Sequence, residues 1–303
     1  MKEYLNLYHI LYFHEVANQK SYTRASERLN ISQPALSKCI SGLEAYLGVK
    51  LINYSNRVFT LTQAGERFEV ATRIFFQQYE TMIDSVRTDS CAPTGMVKIG
   101  IPASITDAVF LDPAREFVIN DNGITLNVTD ADSSVILDNL AKGTFDLGII
   151  MLSSALPPRV EIFPLMQDKC YVVLNKEHHL ANESSISLSQ LAGERFLMAG
   201  ELSSLYIVFQ NMCEHIGIRP NIICQGMNPK FFMEMISQNQ GVTVLPLPFI
   251  EKYKTENVVW KPLVPSLDWN IALLTPSDRQ ISGAAAYVRD YIVNYFTKND
   301  KKA

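Results

Sequence analysis

Two short helical patterns separated by a tight turn constrain the fold of this chain more than any other feature. Ser21 can cap a helix over residues 22–29, and Ser32 can cap a following helix that carries Pro34 in its first turn. Proline is tolerated there because the N–H that it lacks would have no partner in the helix. The second helix is predicted to end at Gly48. Helices this close together predict a helix-turn-helix.

The segments on either side complete this predicted unit. Apolar residues recur near helical spacing from Leu7 to Ala17, which predicts a preceding amphipathic helix. The strings LINYS and RVFTLT alternate around Ser55 and Asn56, which predicts two short strands. We therefore expect residues 1–61 to form an all-α helix-turn-helix domain to which a β-hairpin wing is added.

Charge is distributed unevenly along the 303 residues. Residues 1–61 contain seven Lys or Arg and four Asp or Glu, a net charge of +3, whereas the rest of the chain contains 20 and 27, a net charge of −7. A positive segment on an acidic chain weakly indicates binding to a polyanion. The content of 47% hydrophobic and 19% charged residues favours folded domains over disorder.

Residues 62–91 are predicted to form mainly one long helix that links two domains. Thr62 can cap it, and no proline interrupts it as far as Val86. Its apolar residues form two stripes, one of which includes Phe75 and Met82. The stripes could pack on the helix's own domain, but we favour a second copy of the chain, which predicts a homodimer or homotetramer.

From Met96 onward the pattern changes to alternating strands and helices. This alternation predicts parallel or mixed sheets with helices on both faces, so the fold class is α/β overall. Ser104 and Asp107 resemble a capping box for the first of these helices. Residues 92–303 are accordingly expected to form the C-terminal domain.

Polar side chains cluster where predicted strands meet helices. The α/β architecture places ligands at the carboxyl ends of strands, and helix N-termini attract anions, so these residues predict a small-molecule site. Capping of the helices is the alternative role for each of them taken singly. The candidate ligand-binding residues are Ser104, Thr106, Thr129, Asp130, Ser133, Ser203, Ser204 and Asn228.

The sequence also limits the ligand. Neither residues 99–106 nor residues 196–208 contain Arg or Lys, so a strongly anionic ligand would depend on helix termini alone. We therefore expect a small monocarboxylate or a largely neutral metabolite.

Enzyme and metal signatures are absent from the sequence. The patterns H-E-x-x-H, G-x-S-x-G and Walker A do not occur, and the five cysteines have neither zinc-site nor disulfide spacing. His178 and His179 are expected to be solvated loop residues. We predict no catalytic residues, no metal and no cofactor. Two alternatives are a small-molecule-binding protein or enzyme with an added DNA-docking module, and an architectural DNA binder.

The N-terminal stretch and the hydropathy of the chain predict where the protein is located. The N-terminus carries charged and polar residues through its apolar stretch, which argues against a signal peptide, and no stretch of about 18 apolar residues follows. We expect a cytoplasmic protein with no membrane association and free thiols.

The string SYTRASERLNISQPALSKCISGLEAYLGVKLINYSNRVFTLTQAGE resembles the LysR-type transcriptional regulators. The resemblance is dense over residues 5–68 and continues more weakly to about 295, through KEHHLA, SLSQLAGERF and GVTVLP. It implies a DNA-binding regulator whose C-terminal domain holds an effector in a cleft, as in periplasmic solute-binding proteins. On that basis subdomain I comprises residues 92–161 and 268–303, and subdomain II comprises residues 162–267.

Within this family context, residues near helix starts become candidates for DNA contact. Base edges are reached from the first turns of the recognition helix, where Ala35 and Leu36 are expected to face the core instead. Phosphates are reached by hydroxyls, N–H groups and the wing. The candidate DNA-binding residues are Ser21, Thr23, Arg24, Ser32, Gln33, Pro34, Ser37, Lys38 and Arg57.

Two positions depart from the family pattern. Lys38 stands where relatives often have Arg, so the planar guanidinium fork is lost. Tyr54 stands where relatives commonly have an Arg in the wing, which puts one phosphate contact in doubt.

Overall fold

The structure is a computed structural model that describes residues 6–55, 58–87, 93–120, 123–152, 158–226 and 228–300. The chain divides into two compact units: one comprises the residues up to 86 together with 142–144, and the other comprises the rest. Each unit has its own buried core.

The first unit begins with three helices and a hairpin, followed by a long helix. The helices are α1 Leu7–Gln19, α2 Tyr22–Leu29, α3 Gln33–Leu47 and α4 Gln63–Arg87, and the strands are β1 Ile52–Ser55 and β2 Val58–Leu61.

Capping side chains fix the starts of these helices. The Ser21 hydroxyl accepts from Arg24 N at 3.3 Å, and the Ser32 hydroxyl accepts from Ala35 N at 3.4 Å. The Thr62 hydroxyl likewise accepts from Gly65 N at 3.0 Å, at the start of α4. These bonds satisfy N–H groups that have no partner inside their helices, which explains why the sequence predicts these starts well.

The second unit is built on a sheet of seven strands and a separate pair. The strands are β3 Gly95–Ile101, β4 Ile124–Asp130, β5 Leu147–Met151, β6 Val160–Asn175, β7 Ile186–Ser187, β8 Arg195–Ala199, β9 Asn221–Gly226, β10 Thr243–Pro246 and β11 Val258–Pro276. The large sheet has the order β10-β6-β11-β5-β3-β4, with β7 beside β11, and β8 pairs with β9.

Two long antiparallel strands, β6 and β11, run through this unit from one half to the other. At one end Pro276 lies opposite Val160, beside β5, and at the other end Val258 lies opposite Asn175, near β10. The two strands thus join the parallel β3, β4 and β5 to the half that contains β8, β9 and β10.

Helices cover the strands of the second unit. They are α5 Ala103–Ile105, a π-helical turn Thr106–Phe110, α6 Leu111–Ile119, α7 Ser133–Ala141, α8 Ser204–His215, α9 Pro229–Ser237, α10 Leu247–Tyr253 and α11 Gly283–Asp300, with a 3₁₀ turn at Leu188–Leu191. Within the described residues no helix is long and apolar enough to cross a membrane.

The predicted capping box at Ser104 is wrong. The helix begins at Ala103, two residues earlier than a cap at Ser104 implies, and Pro102 precedes it without a side-chain cap. Asp107 therefore lies inside the helical segment, where its carboxylate is bonded to Lys252 and Tyr253 instead.

The predicted free thiols agree with the structure where it describes them. Cys39, Cys170, Cys213 and Cys224 are free, and Cys91 lies outside the described residues.

Candidate functional site

The N-terminal turns of α3 present polar side chains to solvent. Gln33, Pro34, Ser37 and Lys38 are all exposed. The opposite face is fixed in the core by Leu36, which is fully buried. A helix held in this way can present its first turns to a DNA groove. The expectation for Leu36 was right, but Ala35 is exposed rather than turned to the core.

The side chains predicted to contact phosphates differ in whether they already make hydrogen bonds within the protein. Thr23 is exposed, whereas the hydroxyls of Ser21 and Ser32 cap α2 and α3. The guanidinium of Arg24 donates to the carbonyl of Gln19 at 2.9 Å, which ties this side chain to the end of α1. The charge of Arg24 thus lies near the C-terminal end of α1.

A buried carboxylate, which the sequence reasoning missed, fixes the hairpin against α3. Glu44 Oε1 accepts from the N–H groups of Leu51 at 2.9 Å and Ile52 at 3.1 Å, and Oε2 accepts from Lys50 Nζ at 2.6 Å. Burial opposes ionisation of Glu44, but the bonds from Lys50, Leu51 and Ile52 outweigh it and lower the pKa of the carboxyl. The wing is therefore attached to the recognition helix by an ionised side chain.

Two wing residues named from the sequence cannot be placed. Arg57 and the side chain of Tyr54 lie outside the described residues.

The second unit contains a pocket between its two halves. The cavity has a volume of about 50 Å³. The walls come from the ends of β3 and β5, from β11, and from the N-terminal parts of α7, α8 and α9. Pockets at such strand and helix ends are common small-molecule sites.

Four serines predicted from the sequence line this pocket: Ser104, Ser133, Ser203 and Ser204. The hydroxyl of Ser204 donates to that of Ser133 at 2.9 Å, so the first turns of α8 and α7 meet at the pocket. Ser203 precedes α8 and makes no side-chain cap. The helix N-termini and the serines together can bind a carboxylate or a hydroxyl group.

The other four candidates do not line the pocket. Thr106 donates to the carbonyl of Pro102 at 3.3 Å, and Asp130 accepts from Ala103 N at 2.7 Å. Asn228 caps α9 by accepting from Phe231 N at 3.3 Å, and Thr129 is an exposed residue of β4. Three of these side chains support the backbone around the pocket.

Most of the lining was missed by the sequence reasoning because it is apolar and comes from distant segments. It includes Met151, Leu202, Phe232, Leu245, Phe249 and Trp269. The rings of Phe249 and Trp269 pack edge to face with centroids 5.8 Å apart. Asp132, directly before Ser133, was also missed and is the one charged residue among the lining that the structure describes.

An ion pair joins the two halves near the pocket. Lys252 Nζ donates to Asp107 Oδ1 at 2.6 Å, and Tyr253 OH donates to Oδ2 at 2.5 Å. Burial alone would raise the pKa of Asp107, but the bonds from Lys252 and Tyr253 lower it. Asp107 is one helical turn from Ser104, and Lys252 is close in sequence to Phe249, so this contact and the pocket share two helical segments.

The expectation of solvated histidines is wrong for His178. Its side chain is only 10% exposed, and Nε2 lies 3.2 Å from Glu194 Oε2. Its Nδ1 accepts from Leu180 N at 3.3 Å, so the proton resides on Nε2 and is donated to Glu194. His179 and Glu194 are near enough to complete a metal-binding trio, but in this tautomer His178 has no free lone pair to offer.

Comparison with known proteins gives the class of the molecule. Residues 7–66 match the family described as bacterial regulatory helix-turn-helix protein, lysR family, and residues 92–297 match the LysR substrate binding domain. Together they define a DNA-binding transcription regulator that responds to a small molecule, not an enzyme. The chain belongs to the LysR family of transcriptional regulators.

Individual relatives extend over nearly the whole chain. An uncharacterised regulator of Bacillus subtilis, YwbI, is 29% identical and covers 98% of this chain and all of its own. AlsR of the same organism is 30% identical, with 80% of each chain covered. A full-length OxyR variant from Pseudomonas aeruginosa has the same fold, with a TM-score of 0.77 at 20% identity over 97% of this chain and 95% of its own.

Proposed function

We propose that this chain is a cytoplasmic regulator that reads an operator with the first turns of α3 and responds to a small effector held in the pocket of its second unit. The proposed division is a DNA-binding domain over residues 1–61, a linker and dimerisation helix over 62–91, and an effector domain over 92–303. Within the last, residues 92–161 and 268–303 form one subdomain and 162–267 form the other.

The pocket carries the ligand part of this proposal. Four serine hydroxyls meet the first turns of helices there, while the rest of the described wall is apolar apart from Asp132. Because none of the described lining residues is cationic, a small monocarboxylate or a largely neutral metabolite fits better than a multiply charged anion. We assign effector contact to Ser104, Ser133, Ser203 and Ser204, and support of the pocket to Thr106, Asp130 and Asn228.

The exposed face of α3 carries the DNA part. The amide of Gln33 matches the donor and acceptor pair of adenine, and Lys38 can donate to guanine. Pro34 offers an apolar contact to a thymine methyl, and Ser37 a hydroxyl contact. Ser21, Thr23, Arg24, Ser32 and the wing residue Arg57 are proposed to contact phosphates.

The linker helix carries the assembly part. Phe75, Tyr79 and Met82 recur at spacings of four and three residues on α4, and each of these side chains is at least 40% exposed. Such a stripe suits a second copy of the same helix, which would give a dimer with two recognition helices for a two-fold operator. We propose a homodimer that pairs further into a homotetramer.

Two measurements test the proposal. A thermal-shift screen of the full chain against a metabolite library should give compounds that raise the melting temperature by mass action. A genomic binding selection should supply the operator, on which Arg57→Ala should weaken specific and random DNA binding alike and flatten the salt dependence. A screen without a stabilising ligand, together with no selected operator, would contradict the proposal.

A further inference from the structure

The charge of the pocket wall restricts the ligand further than its size does. Of the lining residues that the structure describes, Asp132 alone is charged, and no Arg, Lys or His stands among them. A carboxylate on an otherwise uncharged wall repels a second anion and attracts a cation. A ligand that fills this pocket should therefore present a positive group to Asp132.

The side chain of Asp132 is available for this contact. Its backbone carbonyl accepts from Ile136 N at 2.9 Å in the first turn of α7, whereas the structure records no hydrogen bond for its carboxylate among the described residues. The residue is half-buried, so a partner inside the pocket would be partly shielded from water.

The first turn of α8, in contrast, favours a negatively charged group. Ser203 lines the pocket directly before this 12-residue helix, and its hydroxyl does not cap it. The hydroxyl of Ser104 also lines the pocket without a recorded partner in the described part of the chain. N–H groups and hydroxyls at such a terminus favour a carboxylate of the ligand.

The carboxylate of Asp132 and the hydrogen-bonding groups around Ser203 belong to neighbouring helix starts. The 2.9 Å hydrogen bond between the hydroxyls of Ser133 and Ser204 joins the residue after Asp132 to the residue after Ser203. One small ligand can therefore reach both Asp132 and Ser203, which suits a positive and a negative group carried by the same carbon atom. The rest of the described wall is mostly apolar, so the remaining body of the ligand should be an apolar group.

We propose that the effector is a small α-amino acid with an apolar side chain. Its ammonium group pairs with Asp132, its carboxylate meets Ser203, Ser104 and the first turn of α8, and its side chain packs on the apolar wall near Phe232 and Trp269. This inference rests on the proposed function of the pocket and specifies the class of its ligand.

Three probes with the same branched body test the charge pattern by calorimetry on the full chain. Valine carries both groups, isovalerate lacks the amine and isobutylamine lacks the carboxylate. The wild type should bind valine at least about tenfold more tightly than either partial probe, because each ionic contact removed costs about 1.4 kcal/mol or more.

The variant Asp132→Asn should lose most of the preference for valine over isovalerate. Because the carboxylate of Asp132 makes no recorded hydrogen bond within the described residues, α7 should remain intact, and an unchanged melting temperature of the free protein checks this. Asp138→Asn, an exposed carboxylate on the same helix, is the matched control and should bind all three probes as the wild type does.

Each other outcome overturns the inference. If isovalerate binds as tightly as valine, or if Asp132→Asn retains the preference, the pocket takes an acid without an amine and the proposed function still stands. If the wild type binds none of the three probes, the amino acid is excluded, and ligands from the metabolite screen then decide whether the pocket is a site at all.

Discussion

The two units of this protein present their candidate sites in different ways. In the first, the candidate base-reading side chains follow one another within the six residues 33–38 and all face solvent. In the second, the pocket is lined by residues that range from Pro102 to Trp269 in sequence and are mostly apolar. A short polar surface suits an extended polyanion, whereas a concave apolar wall suits a compact molecule that loses its water.

Because of this difference, substitutions at the two kinds of site should differ in their effect on folding. On the exposed face a side chain can be removed with little effect on folding, because few neighbours depend on it. In the pocket, on the linker helix and at Glu44, by contrast, the side chains are packed against their neighbours. A substitution there should therefore affect packing as well as binding.

The largest effect is expected at the apolar stripe of α4. Phe75→Asp places a charge where we propose that a second helix packs, and loss of such a contact costs about 2–5 kcal/mol. Sedimentation should therefore show a shift towards monomer, and tight operator binding should disappear. Glu80→Gln, an exposed change on the same helix, serves as the control and should leave both unaltered. An unchanged mass for Phe75→Asp, with full operator affinity, would place the dimer contact elsewhere.

An intermediate effect is expected at the buried carboxylate of the first unit. Glu44→Gln should lower the free energy of unfolding by about 1–3 kcal/mol at neutral pH, because the bonds from Lys50, Leu51 and Ile52 lose their charged acceptor.

The pH dependence of that effect has a definite sign. The folded pKa of Glu44 is depressed, so its contribution is fully present above the ordinary pKa of a glutamate, near about 4.3, and is lost as the pH falls through the folded value. Denaturant titrations over this range should show the two proteins converging in acid. The exposed Glu27→Gln should show no such difference, and parallel curves for Glu44→Gln would rule out the ionised contact.

The smallest effect is expected at the ion pair of the second unit. The side chains of Lys252 and Asp107 are 35% and 33% exposed, so solvent weakens their attraction. Asp107→Asn should cost less than about 1 kcal/mol, an effect reduced further by salt and, because the pKa of Asp107 is lowered, by acid.

A surface pair on a neighbouring helix gives the control for this prediction. Asp112 and Arg115 lie 3.0 Å apart but are both about two-thirds exposed, so Asp112→Asn should leave the melting temperature unchanged. Equal effects of the two substitutions would mean that the contact of Asp107 with Lys252 and Tyr253 adds no stability of its own.

The comparison of the units also explains what the sequence could predict. The bounds of α2, residues 22–29, were predicted from the cap at Ser21 and agree with the structure, because a cap acts within three residues. Polar residues of the pocket such as Ser203 were found because they stand at the junction of a strand and a helix. Family resemblance added the roles of the two domains.

Long-range contacts set the limit of that prediction. Nothing near Asp107 in the sequence indicates that its carboxylate bonds Lys252 and Tyr253, which lie far along the chain. The local pattern therefore predicted a capping box that does not form. The 19-residue strand β11 brings Trp269 to the pocket, and its length follows from its pairing with β6 rather than from a local pattern. From the helical pattern alone, Glu44 is predicted to be an ordinary surface residue of α3, because its partners at the start of the hairpin are not part of that pattern.

The central claim is that operator reading and ligand sensing use separate side chains in the two units, and one paired measurement tests it most directly. Operator affinity and calorimetric affinity for the selected ligand are measured on Gln33→Ala and on Ser104→Ala. Gln33→Ala should weaken the free energy of operator binding by about 1–3 kcal/mol and leave ligand binding normal. Ser104→Ala should lose about 1 kcal/mol on the ligand and bind the operator normally without it. Normal operator binding by Gln33→Ala, or normal ligand binding by Ser104→Ala, would contradict the account.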